Sequence, residues 1–250
     1  MQFHHRVDGA PDKPVLVLSN SLGTDLGMWE PQLEALRAHF RVVRYDTRGH
    51  GQSPVTPGPY SIEQLGRDVV SLLDDLHIER AAFCGLSLGG MVGQWLGVHA
   101  PSRIAKLVLC DTAPKIGTPD VWNTRIATVH EKGMSAISEA LIGRWFTPAF
   151  VAREAAVIAR MKAMLERQPA QGYVAACAAV RDADLREEIA RIAAPTLLVA
   201  GTHDPVTTPA DAAFMASRIS HAKVVEVPAS HLSNIEAADA FTAALLDFLR

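Results

Sequence analysis

The chain has 250 residues, 48% of them hydrophobic and 20% charged, a composition that supports one substantial buried core and excludes a disordered or low-complexity scaffold. Twenty-four basic against 27 acidic residues leave a net charge of −3, too weak a basic field for non-specific binding to nucleic acid. The three cysteines, Cys84, Cys110 and Cys177, show no ligand or disulfide spacing, so no metal site is expected, and residues 1–12 carry no leader pattern, which points to the cytoplasm.

Residues 2–7 read as an antiparallel edge strand, and 14–19 as an apolar strand followed by a Gly/Ser/Asn loop. An amphipathic stretch over 31–40 precedes a strand at 41–45 and a Gly/Pro-rich loop that runs to Tyr60. Ser61 then stands as N-cap of a helix over 61–76, with Ile62, Leu65, Val69, Leu72, Leu73 and Leu76 on one face. Residues 81–102 carry no charge, a length that could span a bilayer, and Gly85, Gly89, Gly93 and Gly97 recur every four positions. Ser87, Gln94 and His99 weaken that reading, so the stretch divides into a strand at 81–85, a turn, and a helix over 89–99 whose glycines allow close packing on a sheet; no membrane partner is expected. Strands at 106–110, 196–200 and 223–227 follow, the last two each leading into a helix. Apolar strands alternating with helices predict an α/β fold around a mostly parallel sheet covered on both faces. Residues 114–193 interrupt the alternation with four or five helical patterns and no strand. The predicted organisation is a core of 1–113 and 194–250 with an all-helical cap at 114–193.

The chemistry-bearing segment is Gly85-Leu86-Ser87-Leu88-Gly89, a G-x-S-x-G between a strand and a helix. That context suits a nucleophile on a sharp turn, with small neighbours relieving the crowding and a helix N-terminus aimed at the reacting centre. Of ten histidines only His231 follows a late strand directly, where the catalytic groups of open α/β sheets collect. Asp204, after the strand at 196–200, is the expected orienting acid, and Asp111, after 106–110, is its competitor. The order Ser87, Asp204, His231 is that of the hydrolase triad. An oxyanion requires two backbone donors; Leu88 supplies one, and Leu22, in the loop after 14–19, is the choice for the other. In Asp46-Thr-Arg48-Gly-His50-Gly-Gln-Ser53, Asp46 and Arg48 are expected to fix a turn beside that loop, with His50 structural.

Asp46–Ser53, the Gly85–Gly89 elbow, Asp204 and His231 together resemble the α/β-hydrolase family over the whole chain. Within it, Leu18-Ser-Asn-Ser-Leu-Gly-Thr-Asp-Leu-Gly-Met-Trp29, Gly85-Leu-Ser-Leu-Gly-Gly-Met-Val-Gly-Gln-Trp-Leu96 and His231-Leu-Ser-Asn-Ile-Glu236 are similar to bacterial 3-oxoadipate enol-lactonases. The resemblance implies hydrolysis of the enol-lactone to 3-oxoadipate in the β-ketoadipate route of aromatic catabolism, with no cofactor and a small anionic lactone as partner. Such a substrate calls for a cation in the pocket. Trp122 with Arg125, three apart on one helix face, and the pair Arg144 and Trp145 are the candidates, each equally able to be ordinary cap surface or core. The cap holds 11 basic and 9 acidic residues, a bias compatible with an anion beneath it. Other esters, ring-cleavage products, peroxide chemistry, or a slow ligand receptor on the same scaffold remain alternatives. Activity is expected to rise with pH as His231 deprotonates, near ~6.5 for an unperturbed imidazole.

Overall fold

Short apolar runs without in–out alternation are stable only as strands covered on both faces. The computed structural model, which describes residues 2–250, places seven strands in one sheet. They are β1 (His5–Asp8), β2 (Val15–Ser19), β3 (Arg41–Tyr45), β4 (Ala81–Leu86), β5 (Ile104–Cys110), β6 (Thr196–Gly201) and β7 (Lys223–Val227). Their spatial order is β1-β3-β2-β4-β5-β6-β7, and β1 alone runs antiparallel, against β3. The edge strand starts at His5 rather than residue 2, because Phe3 turns into the core and its carbonyl accepts from the His5 ring at 2.9 Å.

Helices α1 (Glu30–Arg37), α2 (Ile62–Asp75) and α3 (Leu88–His99) belong to the first half of the sheet. Five more lie between β5 and β6: α4 (Pro119–Lys132), α5 (Ser135–Trp145), α6 (Pro148–Arg153), α7 (Ala155–Glu166) and α8 (Ala170–Asp182). The chain closes with α9 (Pro209–Arg218), the short α10 (Ser233–Glu236) and α11 (Ala238–Leu249). The Ser61 hydroxyl caps α2 by accepting the Gln64 N–H at 3.1 Å, and Ile62, Leu65, Val69, Leu72 and Leu73 face inward. The uncharged stretch resolves into β4 and α3, and among the described residues no helix is long and apolar enough to cross a membrane. Helix α3 is buried along nearly its whole length because it lies against the sheet. A Cβ at Gly89 would stand 2.3 Å from the Ser19 carbonyl oxygen, so only glycine permits that approach.

Strand order decides where a site can form. From β2 the chain passes to β3 on one side, while β4 takes the other side. Such a reversal opens a crevice at the carboxyl ends of the two central strands. The loop after β2 and the turn after β4 both end there. Asp46 shapes the loop side: Oδ1 accepts Leu26 N–H at 2.8 Å and Oδ2 accepts Gln52 N–H at 2.9 Å. Arg48, expected to fix the same turn, donates to the Thr56 hydroxyl of its own loop at 3.1 Å. It also reaches α2, donating to Asp68 at 2.7 Å from Nε, with the Phe3 and Tyr60 ring centroids 5.8 and 5.9 Å from its guanidinium. A five-donor fork finds its best partner in a carboxylate, and Asp68 is the one within reach.

Gly89→Ala should cost about 3 kcal/mol, because the clash is with backbone that cannot rotate away. Urea unfolding checks this: the midpoint should fall while the slope stays unchanged.

Candidate active site

Ser87 sits between β4 and α3 at φ 57° and ψ −113°, a left-handed conformation costly for a side chain with a Cβ. The turn is pinned from three directions. Ser87 N–H donates to the Cys110 carbonyl at 2.9 Å, and the Ser87 carbonyl accepts the Thr112 hydroxyl at 2.8 Å and Met91 N–H at 3.0 Å. Gly85 is required because a Cβ there would lie 2.0 Å from the Gly89 carbonyl oxygen. The strain aims the Ser87 hydroxyl away from the sheet and into the crevice.

The structure brings Ser87, His231 and Asp204 into one hydrogen-bonded line. The Ser87 hydroxyl lies 2.9 Å from His231 Nε2, and His231 Nδ1 lies 2.7 Å from Asp204 Oδ2. The carboxylate can only accept, so Nδ1 carries the proton and Nε2 faces Ser87 as the basic nitrogen. Asp204 is itself held by the Thr207 hydroxyl at 2.7 Å and Val206 N–H at 2.7 Å. Asp111, the competing acid, is engaged elsewhere: it accepts Gly201 N–H at 2.8 Å and the Ser233 hydroxyl. His203 is exposed, and among the described residues its ring has no hydrogen-bond partner.

Two nearby amides are candidates for an oxyanion hole. Among the described residues neither Leu22 N–H nor Leu88 N–H has a protein acceptor, whereas their neighbours do. Ser21 N–H donates to Met28 Sδ at 3.3 Å, Gly23 N–H to His50 Nε2 at 3.1 Å, and Gly89 N–H to the Asn20 carbonyl at 3.1 Å. Burial pushes the His50 pKa down, keeping the ring neutral so that Nε2 can accept. Asn20 is a strut: it accepts the Trp29 indole N–H at 2.9 Å and donates to the Tyr45 carbonyl at 2.8 Å.

Above the line lies a cavity of about 400 Å³, bordered by Ser87, Leu22 and His231 on the sheet side. Trp122, Arg125, Arg144 and Trp145 all border it from α4 and α5. Trp122 is buried, its indole N–H donating to the Ile116 carbonyl at 2.7 Å, and the Arg125 guanidinium stands 4.7 Å from its ring centroid. Trp145 is buried and Arg144 exposed. Neither arginine forms an ion pair among the described residues. No cluster of three His, Cys, Asp or Glu among those residues has metal-binding geometry.

A sequence profile described as the alpha/beta hydrolase fold matches residues 14–238. The chain belongs to this family. An enol-lactonase from Burkholderia xenovorans LB400, solved by crystallography, is 48% identical to this hydrolase at a TM-score of 0.98, over 99% of this chain and 96% of the other. A 3-oxoadipate enol-lactonase of Acinetobacter baylyi is 43% identical over 95% of this chain and 89% of its own. A thermophilic esterase from Thermogutta terrifontis, solved with malate bound, is 29% identical at a TM-score of 0.93, over 99% and 93% of the two chains.

Charge around His231 of the hydrolase departs from the sequence expectation of an unperturbed imidazole. Burial alone drives its pKa down, but the Asp204 charge, the hydrogen bond to it and the Asp111 charge outweigh burial and Arg125, leaving it above 6.5. Asp204 is pushed up by burial, yet His231, Thr207 and Val206 N–H bring it below its ordinary value. Asp111 rises to about 7, because it is buried beside the negative Asp204, only partly relieved by His231, Ser233 and Gly201. Sequence reasoning missed that Asp111 contributes charge without touching the imidazole. The cue was available in its position at the end of a central strand.

A general base works only when neutral, so kcat/KM should climb with pH along a limb whose midpoint lies above 6.5. Asp111→Asn removes one of the charges that raise His231, and the limb should move to lower pH. A pH–rate profile of both proteins checks this, and an unmoved limb in the variant would sink the electrostatic account.

Proposed function

We propose that this hydrolase opens the ring of 3-oxoadipate enol-lactone to give 3-oxoadipate in the cytoplasm, with residues 114–193 acting as its cap. The observation that carries the reading is the cavity itself, where a serine in line with a histidine and a carboxylate faces Arg125 and Arg144, two cations without acidic partners among the described residues. The names of the relatives at 43% and 48% identity support it.

In this mechanism Ser87 Oγ attacks the lactone carbonyl while His231 Nε2 takes its proton, and Asp204 stabilises the imidazolium. The Leu22 and Leu88 amides hold the oxyanion, and the N-terminus of α3 adds its dipole. Collapse breaks the ring C–O bond and expels an enolate, which takes the proton held by His231 and becomes the ketone, leaving His231 neutral. Water, deprotonated by the neutral His231, then attacks the acyl group. As the bond of that group to Ser87 Oγ breaks, His231 returns the proton to Ser87 and the second carboxylate leaves. The substrate's free carboxylate pairs with Arg125, whose guanidinium matches it bidentately against the Trp122 wall. Arg144 and Trp145 complete the pocket from α5. A neutral-ester hydrolase would use the same line of residues, so Arg125 separates the two readings.

Ser87→Ala should lower turnover of the enol-lactone by roughly 10³ or more, followed by loss of its ultraviolet absorbance. Near-normal turnover would overturn the assignment of the nucleophile. Arg125→Met should lower kcat/KM for the lactone by about 10- to 100-fold, the worth of a charge-assisted pair. With p-nitrophenyl acetate, assayed on the plateau above the His231 limb, the same variant should stay within about three-fold, since no substrate charge is lost. Equal losses on both substrates would favour the neutral-ester reading.

A further inference from the structure

The last turn of α5 faces two ways. The Arg144 and Trp145 side chains border the cavity, while their backbone carbonyls are held by the residues on either side of His231. The Ser230 hydroxyl donates to the Arg144 carbonyl at 2.8 Å, and Leu232 N–H donates to the Trp145 carbonyl at 3.0 Å. One carboxylate closes the same junction again. Glu236, the last residue of α10, accepts Ser230 N–H at 3.0 Å on the histidine side. On the cap side it accepts Thr147 N–H at 3.1 Å and the Thr147 hydroxyl. Thr147 is also the N-cap of α6, its side chain accepting Phe150 N–H at 3.3 Å. Glu236 is half-buried, and among the described residues no lysine, arginine or histidine pairs with it. Its charge is met by hydrogen-bond donors from two segments, one of them Thr147, 89 positions away in the chain.

We infer that Glu236 is a positioning residue that locks the α5–α6 junction and the His231 loop into one rigid unit. It borders an open crevice behind the site and touches neither the catalytic line nor the cavity. Through Thr147 it holds the end of α5, and through Ser230 it holds the loop that carries the base. A carboxylate accepts several bonds at once and offers no donor that could pair elsewhere, so it suits a clamp between two sets of N–H and O–H groups. Without it, the junction keeps the two carbonyl hydrogen bonds, and His231 can drift relative to Ser87. A displacement of about 1 Å in a catalytic group costs about 100-fold in rate, and partial loosening costs proportionately less.

The test uses p-nitrophenyl acetate, a neutral probe of the serine and histidine that does not depend on the lactone reading. Glu236→Ala should lower kcat about ten-fold, while Glu236→Gln, which keeps an acceptor oxygen, should recover most of the loss. Thr147→Val should lower kcat less, Thr147→Ser should restore it, and adding Thr147→Val to Glu236→Ala should bring no further loss. The proposal fails if Glu236→Ala lowers the melting temperature but leaves kcat within about two-fold, or if the two losses multiply. Should Glu236→Ala not fold, an unchanged kcat in Thr147→Val overturns the proposal by itself. On the enol-lactone the same variants should also raise KM, because Arg144 and Trp145 loosen together. A fall in ester kcat without that rise would leave the clamp standing and count against the lactone reading.

Discussion

The turn at Ser87 is the constraint on which the site depends. Its φ of 57° is a conformation that the backbone avoids, at a cost of about 1–3 kcal/mol. It persists because β4 and α3 are each fixed by their own packing, and the three hydrogen bonds around Ser87 leave the turn no softer alternative. Gly85 and Gly89 are the condition for this: with a Cβ at either, strand, turn and helix could not lie so close. Once the turn is made, the positions of the other groups follow from the sheet. The loops after β2, β6 and β7 end at the same edge as the turn after β4, so Leu22, Asp204 and His231 converge without any special loop architecture.

How much of this could be read from the sequence depended on whether the signal was local. The strands at 14–19, 41–45 and 196–200, the Ser61 cap and the helix it starts each rest on a few adjacent residues, and all appear within a residue or two of where the pattern places them. The five helices between β5 and β6 were legible as an interval that lacks strands. Ser87, Asp204 and His231 were legible because each follows a recognisable strand, and the structure brings them into hydrogen-bonding distance. What escaped was set by long-range partners. Arg48 lies in the expected loop, yet its direction is decided by Asp68 on α2. Asp111 and Ser233 meet from positions 122 apart, and Thr147 and Glu236 from positions 89 apart. No periodicity or turn signal encodes such pairs, because each residue reads as an ordinary polar group in its own segment.

The electrostatics of His231 illustrate the same division. Its bond to Asp204 was an inference from chain order, but its pKa depends on every charge that faces it. Asp204 and Asp111 raise it, and burial and Arg125 lower it. Asp111 is the informative member, because its carboxyl, pushed up to about 7 by burial beside Asp204, changes charge well above the usual carboxylate range. A change in the charge of Asp111 is therefore felt at His231 although the two groups share no hydrogen bond.

Net charge was a poor guide to where an anion would be drawn, and individual pairings are a better one. The slight positive excess of residues 114–193 is dispersed over a surface where most cations are already matched. Lys115 and Arg186 pair with Asp184, Arg153 with Glu154, Lys162 with Glu139, Arg167 with Asp25 and Arg181 with Asp182. Exposed pairs of this kind contribute at most about 1 kcal/mol each and project little field beyond their own partners. Arg125 and Arg144 have no acidic partner among the described residues and border the cavity, where apolar walls screen charge less than water does. An anion entering there meets two uncompensated cations. The Arg125 charge is already felt at His231, so a carboxylate bound there as proposed, by neutralising it, would raise the imidazole's proton affinity. In the proposed mechanism, substrate recognition and the strength of the base are thereby joined through one side chain.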